Sequence, residues 1–240
     1  MKKLITILLS SVLSMNLNAA DTLHDLHTKV DWEDRAEVKE MVARNGYSIK
    51  YAIDFLADRE IALLAARENA NSLRYVDMRL RRDKSFMLEA IKLNGFSLEF
   101  ADESLKKNKE FVLQAVKING ISLMHVHQSL KNDKDVILQA VISNPMALKY
   151  AGLEARNDKN IALMAVRKNG NALQYVGTDL LKNKSVVMVA VKQNGKALQY
   201  ADISMRKDIS VVLAAVKENR YAIKYAHTDA RYSKELENYR

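Results

Sequence analysis

Asparagine recurs in this chain at an interval that no irregular globular domain keeps. Asn45, Asn69, Asn94, Asn119, Asn144, Asn169, Asn194 and Asn219 stand 24 residues apart at the first step and 25 at each later one. A fixed period of this length means an array of like units. Other columns keep step with it. Four residues before each Asn stands Ala65, Ala90, Ala115, Ala140, Ala165, Ala190 or Ala215, with Met41 in the first copy. Four after it comes Ile49, Leu73, Leu98, Leu123, Leu148, Leu173, Leu198 or Ile223. Six after it is an aromatic slot holding Tyr51, Tyr75, Phe100, His125, Tyr150, Tyr175, Tyr200 or Tyr225.

One unit reads approximately D-K-x-x-V-L-x-A-V-K-x-N-G-x-A-L-x-Y-A-x-x-x-L-K-K. The spacing predicts two short helices. The first opens at Asp58, Asp83, Asn108, Asp133, Asp158, Asn183 or Asp208, residue types whose side chains accept the unpaired N–H groups of a first turn. It carries apolar residues at helical spacing, such as Phe86, Met87, Ala90 and Ile91, and stops at Asn-Gly. Gly46, Gly95, Gly120, Gly170 and Gly195 are expected there as left-handed terminators. The second helix carries Leu, Ala and Leu at offsets 4, 7 and 11 from the Asn as one stripe. Helices this short are marginal alone, since isolated ones need roughly 12–15 residues. Neighbouring units must supply the core. The fold class expected is all-α, an α-solenoid of about eight 25-residue helix-pair repeats over residues 35–232, with 233–240 a truncated ninth repeat serving as a C-terminal cap.

The unit as it stands in Asp133 to Ala151 and Asp158 to Val176 resembles a bacterial helical-repeat family classified only as a domain of unknown function. The resemblance implies the repeat fold and brings no activity with it. His125 in the aromatic slot, Pro145 and Arg220 in the Gly slot, and Ala155 and Ala230 at the last Leu position depart from the pattern.

The N-terminus reads as an address. Met1-Lys2-Lys3, the apolar run Leu4 to Leu13 and the small-residue exit at Ala19-Ala20 predict a signal peptide over residues 1–20, and 21–34 a linker that begins the cap. The run is shorter than the about 20 residues that span a bilayer. The short bacterial-type leader places the product in a periplasm or outside the cell. Removing Lys2 and Lys3 lowers the net charge from +9 to +7.

Composition excludes several chemistries. With no Cys there is no disulfide framework, cysteine nucleophile or Cys-based zinc site. The sequence carries no HExxH, GxSxG, P-loop or GxGxxG pattern, so no catalytic residue, metal ligand or cofactor is assigned. His24 and His27 with Asp21 and Asp25 read as solvated linker, and His125 and His127 point to different sides of a helix. The chain is therefore read as a non-enzymatic binding scaffold, with a passive envelope spacer as the alternative.

Basic residues supply the candidate site. Lys84, Lys109, Lys134, Lys159 and Lys184 each follow an N-cap, where a cation opposes the helix dipole, so helix stability does not explain them. Arg81, Lys106, Lys131 and Arg206 close the preceding element of the same edge. A second column, Arg67, Lys92, Lys117, Arg167, Lys192 and Lys217, sits late in the first helix, where it suits the dipole. Asn94, Asn119, Asn144, Asn169 and Asn194 with Tyr150, Tyr175 and Tyr200 form a candidate concave ladder. The partner expected is a protein or an anionic envelope polymer. Export disfavours nucleic acid.

Overall fold

Each unit is held at its start by a carboxylate or amide that caps a ten-residue α-helix. In the computed structural model, which describes residues 30–239, the eight such helices are α1 Arg35–Arg44, α2 Arg59–Glu68, α3 Lys84–Leu93, α4 Lys109–Ile118, α5 Lys134–Ser143, α6 Lys159–Lys168, α7 Lys184–Gln193 and α8 Ile209–Glu218. The signal-peptide residues 1–20, His24 and His27 lie outside the described residues. Asp58 Oδ1 accepts from the N–H groups of Glu60 and Ile61, and Asp133, Asp158 and Asp208 repeat the arrangement.

The helices stop because Asn leaves the helical conformation. Asn169 has φ −152° and ψ 109°, extended backbone, yet its N–H still bonds Ala165 O, and its side-chain oxygen accepts from Asn171 N–H. One residue thus closes a helix with its backbone and opens the next element with its side chain. That next element is a 3-10 helix, Gly170–Tyr175 here and Gly120–His125 or Gly195–Tyr200 in sister repeats.

The helix pair is present, with its second member divided. Offsets 1, 4 and 7 from the Asn repeat every three residues, the period of a 3-10 helix. Ala101 then turns extended, at φ −61° and ψ 148°, and Asp102 caps a separate short helix, Glu103–Lys107, that carries the buried Leu105. Offsets 4 and 11 therefore lie on two elements instead of one stripe.

The glycines correct a second expectation, for none of the described glycines has positive φ. They are small because adjacent repeats meet there. A Cβ built on Gly170 would stand 2.5 Å from the Ala190 carbonyl oxygen, and one on Gly46 2.6 Å from that of Ala65. Gly120 and Gly195 face Ala140 and Ala215 in the same way.

The contacts divide the chain into two units, Met1–Tyr75 and Val76–Arg240. Within the first, α1 packs on α2. Within the second, α3 to α8 pack each on the next, and every 3-10 helix from Gly120–His125 to Gly195–Tyr200 lies between its own α-helix and the following one. This is the contact order of an α-solenoid. Each of α2 to α8 buries four residues, as with Phe111, Val112, Ala115 and Val116 in α4, and α1 buries three. A backbone ladder joins the repeats: the N–H of Asp102, His127, Gly152, Gly177, Asp202 and His227 donates to the carbonyl of Arg81, Lys106, Lys131, Arg156, Leu181 and Arg206 respectively. Past α8 the chain forms a last 3-10 helix, Lys234–Tyr239, and buries Leu236 where the third residue of a ninth helix would stand.

Candidate binding surface

The lysines after the N-caps reach across to the next repeat. Lys109 Nζ lies 2.8 Å from Asp133 and 2.7 Å from Asp135, Lys134 2.7 Å from Asp158, and Lys184 2.7 Å from Asp208. In the first unit Arg35 makes the same bond to Asp58, at 2.7 Å. Each tie joins the first residue of one helix to the N-cap of the following helix. This accounts for cations that the helix dipole alone disfavours. Lys84 and Lys159 have no ion pair among the described residues, and in both cases the next N-cap is an uncharged Asn, Asn108 or Asn183. Asn108→Asp should therefore add a missing tie and raise the melting temperature by about 1–3 °C. Thermal unfolding followed by circular dichroism checks it. In a Lys84→Met background the gain should shrink.

The ties also depress carboxylate pKa values. Burial pushes the Asp208 carboxyl up, but Lys184, Ser210 Oγ and the Val211 N–H outweigh it and hold it at about 2. Asp158 is lowered by Lys134, and Asp58 by Arg35. Groups depressed in the folded state add stability above the ordinary carboxylate pKa and lose it as pH falls through the folded value. The melting temperature should thus drop between about pH 4 and pH 2, and Asp208→Asn should flatten part of that slope. A melting series at fixed ionic strength measures it.

Arg81, Lys106, Lys131 and Arg206 are half-buried rather than free on an edge. Lys131 Nζ donates to Met124 O at 3.0 Å, capping the C-terminal end of the 3-10 helix Gly120–His125, and burial lowers its pKa. Arg231 does the same at Ala226 O, 3.1 Å away. Lys106 pairs with Glu103.

The ladder residues lie together along the seam between repeats. Oδ1 of Asn94, Asn119, Asn144, Asn169 and Asn194 caps the 3-10 helix that follows, at 2.9–3.1 Å. Asn194 Nδ2 also donates across to Asn171 of the preceding repeat at 3.0 Å. Tyr150, Tyr175 and Tyr200 are half-buried. In two repeats the residue two after the Asn meets the aromatic of the next repeat: Tyr47 meets Tyr75 at 6.5 Å and Phe96 meets His125 at 5.9 Å between ring centres. Burial holds the His125 pKa below its usual value. His127 instead caps the next turn, with Nδ1 accepting from Ser129 N–H.

Two further columns carry weight that the motif alone did not assign. Ser48, Ser72, Ser97 and Ser122 are fully buried three residues after the Asn, where later repeats have Ala147, Ala172, Ala197 and Ala222. Ser122 Oγ donates to Gly95 O of the preceding repeat at 3.0 Å. A small residue in every copy was the signal. The second column is Leu88, Leu113, Leu138, Leu163, Met188 and Leu213, half-buried at the fifth helical position. Four residues on stand Lys92, Lys117, Arg167, Lys192 and Lys217, exposed and without ion pairs among the described residues, with Ile142 in the one remaining slot. Between α7 and α8 these columns line a groove of about 470 Å³ with Met188, Lys192, Ser210, Leu213, Ala214, Lys217 and Glu218. The described residues include no group of three or more His, Asp or Glu able to hold a metal ion.

Short helices capped by Asp and Asn, joined by side-chain ties and close Gly–Ala contacts, define a helical-repeat array of the α-solenoid class. The chain belongs to the DUF4116 family, a domain of unknown function, whose pattern it matches in overlapping windows at residues 34–81, 58–106, 83–131, 108–154, 133–182, 158–206 and 183–229. Each window spans about two repeats, the smallest piece that contains an interface. Comparisons with curated proteins and with solved structures gave no match. No helix among the described residues is long and apolar enough to cross a membrane.

Proposed function

We propose that the chain is a non-enzymatic binding scaffold, exported to a periplasm or the cell exterior, that engages a protein or anionic polymer through exposed cations repeated along the array. The observation that carries this reading is the split between the two lysine columns. The N-cap column is largely consumed by ties such as Lys134 to Asp158, whereas Lys92, Lys117, Arg167, Lys192 and Lys217 stay exposed with no ion pair among the described residues. Unpaired like charges held at regular intervals raise the local potential and attract an anion more than they stabilise the fold. Lys84 and Lys159 add to this set. The leader-like residues 1–20 support export.

The passive spacer reading draws on the ties themselves, which explain Lys109, Lys134 and Lys184 without any ligand. Photo-crosslinking in the native host separates the two. A crosslinkable residue at position 117 or 192 should yield a discrete adduct that high salt suppresses. Absence of adducts from these and every other exposed position would favour the spacer.

A further inference from the structure

We infer that the outer face of α6, α7 and α8 takes an acidic amphipathic helix of a partner protein, an inference that rests on the binding reading above. The fifth and sixth positions of these helices are Leu163 and Met164, Met188 and Val189, Leu213 and Ala214, all only half-buried. Within the second unit, α3 to α5 have Glu89, Gln114 and Gln139 at the sixth position, so there the face becomes wholly apolar only in α6 to α8. Arg167, Lys192 and Lys217 stand four residues after the fifth position, on the same side of each helix, and form a basic rim. Glu218 is the carboxylate in the groove lining.

Chemistry narrows the occupant. A polysaccharide or bare polyanion would pair with the rim and leave the apolar strip wet. An extended peptide needs main-chain partners, and α6 to α8 spend theirs inside the helices. A helix brings its own backbone satisfied and can offer both an apolar and an acidic stripe. The spacing agrees: packed helices lie about 8–10 Å apart, and seven residues of helix rise about 10.5 Å. One apolar and one acidic residue per seven would meet each repeat in turn.

The test uses the full chain and a fluorescein-labelled 21-residue helical peptide with Leu every seventh position and Glu four residues after each Leu, read by anisotropy. Saturable binding is expected. The triple variant Arg167→Glu, Lys192→Glu, Lys217→Glu should weaken it at least about tenfold with an unchanged helical signal. A scrambled peptide of equal composition and a poly-glutamate of equal length should bind at least about tenfold more weakly. Equal binding by the scrambled peptide or poly-glutamate overturns the amphipathic-helix assignment, as does an unaffected triple variant. If the patterned peptide fails while crosslinks from position 117 or 192 persist, this inference falls and the broader binding reading stands. Loss of both removes the broader reading too.

Discussion

Phe111→Ala should lower the unfolding free energy by about 3–5 kcal/mol, the largest single loss expected in the array. Phe111 is 1% exposed and opens the buried set of α4. The cavity would sit between stacked repeats, where few backbone movements can close it. Because α4 packs on α3 and α5, the loss should also be local. Native-state hydrogen exchange is expected to show faster exchange in α3 to α5 before α8 responds. Uniform acceleration across residues 76–239 would mean that the unit behaves as one globule rather than as an array.

Gly170→Ala should destabilise by about 1–3 kcal/mol, through overpacking. The sign is the informative part. With negative φ, exchanging Gly for Ala ordinarily stabilises by about 0.4–1 kcal/mol, because the unfolded chain loses freedom. Here the added methyl would face the Ala190 carbonyl oxygen of the following repeat at 2.5 Å, so either the 3-10 helix or α7 must shift. Denaturant unfolding of the variant decides between the two signs. A gain in stability would show that the Gly column serves local chain conformation instead of the contact between repeats.

Much of the architecture could be read from the columns alone. The Asn interval fixed the length of the unit, and Asp or Asn before each apolar run located the helix starts within a residue. Local rules suffice for such features because caps act on backbone groups two or three residues away. The glycines and the second helix were harder. An Asn-Gly stop has the same letters whether Gly turns left-handed or merely makes room for a neighbouring carbonyl, and only packing separates these. Offsets 4, 7 and 11 fit an α-helical stripe as well as a 3-10 helix followed by a new cap. Asp102 in the middle of the run marks the break, since a residue of that kind begins a helix more readily than it continues one.

The candidate site was legible in its membership and less so in its roles. Both lysine columns stand out in the repeat, but the dipole rule ranked them in the opposite order of availability. The column unfavourable to its own helix is tied across the interface, a relation spanning 24 residues from Lys109 to Asp133. The column favourable to its helix is left exposed. The clue lay in co-occurrence, for Lys84 and Lys159 lack the tie where the next cap is Asn. Likewise Leu at the fifth position reads as core until its half exposure beside Lys192 and Lys217 is seen.

The lysine behind each N-cap as a tie between repeats is the relation on which the separation of structural from binding cations depends. A double-mutant cycle on Lys134→Met and Asp158→Asn, measured by denaturant unfolding at low and at 1 M salt, addresses it directly. The expected result is a favourable coupling between the two residues at low salt that shrinks at 1 M. Additive losses at both salt concentrations would contradict it, and the lysines after the N-caps would then rejoin the free cations.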